Sequence, residues 1–400
     1  MASVSVGVWV GVGSRYEPSE TNGICHFIEH LLFKGTRKRS AKEISQAVEG
    51  IGGYLNAFTS EEMTCFHARA GYKRFAELLD VLVDMLLHSR FAPADISKER
   101  EVIKEEMAMY LDEPQHLVQE LLNATLWPDQ PLGRPITGTP QTLDLMARKD
   151  LLGYQRNYYV SGSTLLVAAG NITHQHALRS IRSYASHFIP GKPAACAAVQ
   201  TPRDSPRVRL CTRNIEQTQI AVGIRTCSRH DGRRFALRLL NTILGENMSS
   251  RLFQVLREEH GLAYSIYSTP SFFADTGDLV ISAGLDTDHL AKTLRLIMRE
   301  LRRLTDSTVT GEELRRGRDY VLGQIELGQE STENQMNWVG EQLLGYGRIF
   351  SPTEIKRQLS RVTAAEIKAV AQQFFRPERL KLALVSPLKR DTGVEKILKI

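Results

Sequence analysis

Residues 150–169, DLLGYQRNYYVSGSTLLVAA, and residues 365–385, AEIKAVAQQFFRPERLKLALV, decide the fold. Each reads as a helix, an aromatic pair (Tyr158 and Tyr159; Phe374 and Phe375) and an apolar strand. Their echo predicts one α+β unit of about 190–200 residues present twice, a size ordinary for a single domain. The expected division is 1–190, a linker over 191–207, and 208–400. The linker, GKPAACAAVQTPRDSPR, is rich in Pro and Ala and has no periodicity. A duplicated unit of this kind makes a natural cleft, where ligand sites tend to lie.

The flanking elements repeat in kind. In the first half Val4, Val6, Val8, Val10 and Val12 alternate with Ser3, Ser5, Gly7, Trp9 and Gly11, the period of a strand. After the turn SRYEPSETNG comes a short helix, ICHFIEHLLFK, closed by Gly35, and then a helix, AKEISQAVEG, capped by Ser40. YLNAFTS and EMTCFHARA are β-prone. Phe75, Leu78, Leu79, Val81, Leu82, Met85 and Leu86 make one apolar helical stripe. A long helix over 94–111 follows, and Pro114 can open its successor. Beyond the linker come strand TQIAVGIRT, helices FALRLLNTIL and RLFQVLREE, β segments YSIYSTPSFF and DLVISAGL, long helices and a last strand.

Composition narrows the class. The chain has 400 residues, 42% hydrophobic and 24% charged, which excludes wholesale disorder, collagen and simple coiled coil. No run approaches the roughly 18 apolar residues of a membrane helix, and the first residues carry no basic segment of a signal peptide. Five scattered cysteines without a CxxC pair fit a reduced, cytoplasmic setting. Lys and Arg number 51 against 45 Asp and Glu, a net charge of +6. Charges of both signs interleave along the helices, so solvated helix faces are expected rather than a nucleic-acid footprint.

The chemistry concentrates in His26-Phe27-Ile28-Glu29-His30. A helix advances about 100° per residue, so His26 and His30 lie one turn apart on one face with Glu29 in the same arc. Two neutral imidazoles suit Zn²⁺, and a catalytic zinc site usually takes three protein ligands with one position open. The third is expected from KEREVIKEEMAMY, where Glu99 and Glu106 project from one face two turns apart and Glu105 points elsewhere. Spacing does not say which of Glu99 and Glu106 touches the metal.

The stretch HFIEHLLFKGT resembles the inverted zinc-peptidase motif HxxEH of the pitrilysin/insulinase-type inverzincins. GSRYE, FKGTRKRSAKEI, GGYLNAFTSEEMTC, EREVIKEEM and LREEHGLAYS are similar to the mitochondrial-processing-peptidase-like branch, so the likeness spans nearly the whole chain. It implies two homologous α+β halves, each a mostly antiparallel sheet packed against helices, with only the first binding metal. It implies a zinc endopeptidase in which one Zn²⁺ is held by His26, His30 and Glu106. Glu99 supports from behind, and Glu29 is the general base that takes a proton from water and returns it to the leaving amine. Arg257 and Tyr264 match an arginine-tyrosine pair that hydrogen-bonds the substrate backbone and steadies the oxyanion. Asn56 and Ala57 match an edge strand that receives the peptide as an added strand, so extended or unfolded peptides are the implied substrates. The likeness also implies pairing, as a homodimer or with a related chain; the interleaved charges and the want of a long apolar run lead to the expectation of no nucleic-acid or membrane partner.

Two features depart from that pattern. Almost nothing precedes Val4, where the family's halves open with a further strand, so a late start or a missing strand is expected. The second half reads LLNTILGENMSS where the motif would stand. Two rival functions share the fold: a non-catalytic partner subunit, and a scaffold stabilised by zinc. Structural zinc sites usually have four ligands rich in Cys, which are not evident here. Cys25 points about 100° away from His26 and reads as a buried structural thiol. No function is assigned to His67 or to His174 and His176, and Glu61 and Glu62 read as solvated turn charges.

Overall fold

The structure is a computed structural model that describes residues 2–200, 207–390 and 393–399. It contains two compact units. The first comprises Met1–Met109, Arg134–Ala197 and Leu327–Ile349; the second comprises Tyr110–Gly133, Ala198–Glu326 and Phe350–Ile400. Of the expected linker, residues 191–200 have no regular secondary structure and 201–206 lie outside the described residues.

The first half of the chain runs β1 (Ser3–Val10), α1 (Ile24–Leu32), α2 (Ala41–Glu49), β2 (Tyr54–Thr59), β3 (Thr64–Gly71), α3 (Phe75–His88), α4 (Pro93–Asp112), α5 (Pro114–Leu126), α6 (Pro140–Leu145), α7 (Arg148–Tyr158), β4 (Thr164–Gly170) and α8 (His174–Ala185). The second half runs β5 (Val208–Thr212), β6 (Thr218–Thr226), α9 (Arg234–Asn241), β7 (Ala263–Phe272), β8 (Gly277–Leu285), α10 (Leu290–Asp306), α11 (Gly311–Gly328), α12 (Thr332–Tyr346), α13 (Pro352–Arg361), α14 (Ala364–Phe374) and β9 (Leu380–Ser386).

The sheets bear out the α+β duplication. In the first unit the strand order is β2-β3-β1-β4, and in the second β5-β9-β6-β8-β7. Matching β4, β1, β3 and β2 to β9, β6, β8 and β7 superposes the orders, and the pairings within each set are antiparallel. The additional strand, β5, lies parallel to β9. It was not foreseen, because VRLCT directly follows the aperiodic Pro- and Ala-rich stretch.

Each unit also includes a helix from beyond the division at 190 and 208. The valine face of β1 packs into a core with Ile24, Phe27 and Ile28 of α1 and Leu78, Leu79 and Leu82 of α3. The opposite face of β1 is buried as well, beneath α12. Thr332, Met336 and Gly340 recur every fourth residue, which on a helix makes one stripe. Thr332 Oγ1 meets Ser5 Oγ at 2.9 Å, and the Trp9 indole N–H points at Met336 Sδ, 3.2 Å away. At Gly340 a Cβ would lie 2.3 Å from the Trp9 indole, so only glycine lets the helix lie this close. In the second unit α5 packs Leu117, Val118 and Leu122 with Ala221 of β6 and Ala383 and Val385 of β9. Among the described residues, no helix is long and apolar enough to cross a membrane.

Candidate metal centre

α1 starts at a glycine that does two things. Gly23 has φ 95°, a left-handed conformation disfavoured for other residues, and a Cβ there would lie 2.5 Å from the Thr137 carbonyl oxygen. Its side chain cannot cap the helix, so the cap comes from a distance. The buried Glu17 carboxylate accepts hydrogen bonds from the backbone N–H of Gly23 (2.7 Å) and Cys25 (2.9 Å) and from Asn22 Nδ2 (2.9 Å). These bonds satisfy amides that a helix start leaves unpaired and set negative charge at the positive end of its dipole. Burial raises the Glu17 pKa, and the same bonds oppose the rise.

So anchored, α1 buries Ile24, Phe27, Ile28, Leu31 and Leu32 and turns His26, Glu29 and His30 to the remaining side. On α4, Ile96, Glu99, Ile103 and Met107 form the inward stripe, and Glu106 sits at its margin. The two helices bring His26, His30 and Glu106 together, with one ligand atom from each lying within 4.8 Å of the others. Glu106 Oε2 is 3.4 Å from His30 Nε2 and 3.8 Å from His26 Nε2. Two donor atoms on one tetrahedral zinc at 2.0–2.2 Å lie about 3.3–3.6 Å apart, so the observed spacings fit such an ion with little adjustment.

The surrounding groups set the charge states. Burial, reinforced by the neighbouring His30, pushes the His26 pKa down to about 4, so near neutral pH its imidazole is uncharged and able to ligate. Burial alone would lower His30, but its contacts with Glu106 and Glu99 outweigh burial and raise it. Glu99 is 1% exposed; its Oε2 lies 3.3 Å from His30 Nδ1 and its Oε1 lies 2.9 Å from Lys34 Nζ. Holding Nδ1 leaves Nε2 aimed at Glu106, the arrangement of a carboxylate–histidine–metal unit. Glu29, half-buried, has its pKa raised by burial, against a hydrogen bond from Thr59 Oγ1 to Oε2 at 2.5 Å.

The other expected site residues lie as follows. Asn56 and Ala57 are on β2, an edge of the first sheet. There Asn56 Oδ1 accepts the Ala57 N–H at 2.9 Å, and Asn56 Nδ2 donates to the Tyr54 hydroxyl at 2.6 Å. Arg257 and Tyr264 belong to the second unit. The guanidinium lies 4.9 Å above the Tyr264 ring, and Tyr264 is 78% exposed.

Sequence reasoning missed Lys34, Glu17 and Thr59. Lys34 follows His30 by one helical turn, and Thr59 follows Ala57 by the strand period, but neither spacing announces a partner. One expectation is corrected: Glu62 is not a solvated turn charge. It is buried in an ion pair with the buried Arg15 at 2.6 Å, a pairing between distant loops that no local pattern reveals. Cys25 is fully buried and donates to the Tyr154 hydroxyl, and His67 is buried beside Tyr54, Phe58 and Glu333.

Residues 1–140 match the family profile described as Insulinase (Peptidase family M16), and residues 146–321 that of the Peptidase M16 inactive domain. An uncharacterized zinc protease of Mycobacterium tuberculosis is 37% identical over 388 residues, 96% of this chain and 88% of that protein. The uncharacterized zinc protease YmxG of Bacillus subtilis is 36% identical over 385 residues, 96% and 93% of the two chains. Among solved structures, a protease from Helicobacter pylori aligns with TM-score 0.87 at 21% identity, over 97% of this chain and 95% of that one. A peptidase M16 inactive domain from Pseudomonas fluorescens aligns with TM-score 0.89 at 17% identity, over 97% and 94%.

Proposed function

The chain belongs to the M16 (insulinase) peptidase family, and from that premise we propose that it is a zinc-dependent endopeptidase acting on extended or unfolded peptides. The observation that carries the reading is the convergence of His26, His30 and Glu106, with Glu29 on the same helix as the two histidines. Zinc held by these three side chains would supply Lewis-acid polarisation of the scissile carbonyl and lower the pKa of water to about 7.

The chain's own groups supply the rest. His26 is neutral near pH 7 and offers a lone pair without first losing a proton. Glu99 orients the His30 ring through Nδ1 and is itself balanced by Lys34. Glu29, whose pKa burial raises, accepts a proton from the attacking water and delivers it to the leaving amine. The edge of β2 at Asn56 and Ala57 pairs with the substrate backbone, which tolerates varied side chains but requires an extended chain. Arg257 and Tyr264 hydrogen-bond the peptide and steady the developing oxyanion.

A non-catalytic partner role has one observation in its favour: residues 146–321 match a profile described as inactive. Against it, the three ligands and Glu29 all fall within 1–140, matched by the insulinase profile. Hydrolysis of unstructured peptides by wild type and Glu29→Gln, with zinc measured in both, tests the proposal. The variant should keep its zinc and lose at least about 100-fold in turnover. Normal turnover in the variant would remove the proposed base, and a zinc-loaded wild type that binds peptides without cutting them would favour the partner role.

A further inference from the structure

Glu29 accepts a single side-chain hydrogen bond among the described residues, and it comes from Thr59. The donor is held on a firm frame. Thr59 ends β2 and pairs with Thr64 of β3. The turn beyond it is closed by Ser60 N–H to Met63 O at 2.8 Å. Ser60 O and Glu61 O in turn accept the N–H groups of Ser14 (3.1 Å) and Arg15 (2.8 Å), and the buried Arg15–Glu62 pair locks the same turn from its side chains. Along β2, Leu55, Ala57 and Thr59 share a face, and Leu55 and Ala57 pack against the core that contains α1. A β-branched threonine on such a strand has little χ1 freedom. Its hydroxyl therefore fixes Oε2 of Glu29 and leaves Oε1 without a hydrogen bond among the described residues.

We propose that Thr59 is a positioning residue for hydrolysis: it clamps one oxygen of Glu29 so that the other is presented for proton transfer. Because Thr59 lies in the strand assigned to receive the peptide, the position of the base and the register of the bound chain share one rigid element. The inference rests on the reading of Glu29 as the base. It adds a residue to the machinery and gives the edge strand a second task.

The test compares Thr59→Val, Thr59→Ala and Thr59→Ser with wild type and Glu29→Gln on an unstructured fluorogenic peptide. Zinc per chain and thermal melting are measured on the same preparations. Valine keeps the shape and removes the donor; serine restores it. Losing alignment of a reacting group costs on the order of 10- to 100-fold. The valine and alanine variants should therefore lose about that much in kcat, with KM within about twofold, zinc per chain unchanged and most activity returning in the serine variant. Adding Thr59→Val to Glu29→Gln should lower activity no further, since the hydroxyl acts only through the carboxylate. An active wild type with a dead Glu29→Gln and unimpaired valine and alanine variants overturns the Thr59 assignment alone. So does a loss that follows zinc or KM instead of kcat. A zinc-loaded wild type without hydrolysis, or a fully active Glu29→Gln, overturns the reading of Glu29 beneath it.

Discussion

Changing Glu99 to Gln keeps the shape of a buried side chain and removes its charge. In the native site that charge faces Lys34 Nζ at 2.9 Å and His30 Nδ1 at 3.3 Å. Two full charges at that second distance would interact by about 5 kcal/mol at an effective dielectric near 20. An imidazole holding a metal on its other nitrogen carries only part of a charge, and a glutamine oxygen still accepts its N–H. The loss then falls to the extra strength of a charge-assisted bond over a neutral one, about 1–1.5 kcal/mol, or roughly 5- to 13-fold in zinc affinity. Glu99→Ala removes the acceptor as well, strands the His30 N–H, and should weaken zinc by about 100-fold, the upper end for such partners. Lys34 is one-third exposed and can turn to water, so metal-free Glu99→Gln should melt close to wild type. The assay is competition with a chromophoric zinc chelator near neutral pH, with melting of the metal-free proteins as the folding control. Zinc affinities within about threefold of wild type in both variants would show that Glu99 does not orient His30.

Other consequences concern the frame. Gly340→Ala drives a methyl group into the Trp9 ring and should cost about 2–3 kcal/mol, read as a lower urea midpoint of tryptophan fluorescence. Gly323→Ala on α11 meets nothing within 4 Å and should stabilise by about 0.5–1 kcal/mol; equal effects from the two would contradict the packing of α12 on β1. Glu313, paired with Arg251 at 2.7 and 3.0 Å, has its pKa held down to about 2 from the ordinary 4.5. Burial alone would raise it, but the bonds from Arg251 and the Thr310 N–H prevail. A depressed carboxyl stabilises fully above about pH 4.5 and stops doing so as pH falls through about 2. After allowance for solvent screening the pair is worth about 1–2 kcal/mol near neutrality. The stability gap between wild type and Arg251→Met should therefore shrink to about two-fifths of that by pH 3, and a gap constant with pH would exclude the ion pair as its source.

Where a feature depends on neighbours in the chain, the sequence made it legible. His26, Glu29 and His30 share a face because of helical spacing, and Glu99 and Glu106 fall two turns apart for the same reason. The valines of β1 and the echo of 150–169 in 365–385 placed strands and helices correctly. What escaped depends on partners tens to hundreds of residues away. The stripe of α12 that covers β1 is Thr332, Met336 and Gly340, too small and mixed to show as an apolar period. Glu62 looked solvated because charged residues usually are, and only its pairing with the buried Arg15 makes its burial tolerable. Thr59 gave no sign at all, since a strand-end threonine is common and its importance comes from the carboxylate it meets.

The central claim is that two imidazoles of α1 and the Glu106 carboxylate of α4 grip one ion. X-ray absorption at the zinc edge, on wild type and Glu106→Gln, reads this directly. Wild type should bind one zinc per chain with only nitrogen and oxygen neighbours at about 2.0–2.2 Å, and the variant should lose affinity and an ordered oxygen neighbour. A sulfur neighbour at about 2.3 Å, or a spectrum and affinity untouched by the change at Glu106, would place the ion on other residues and contradict the account.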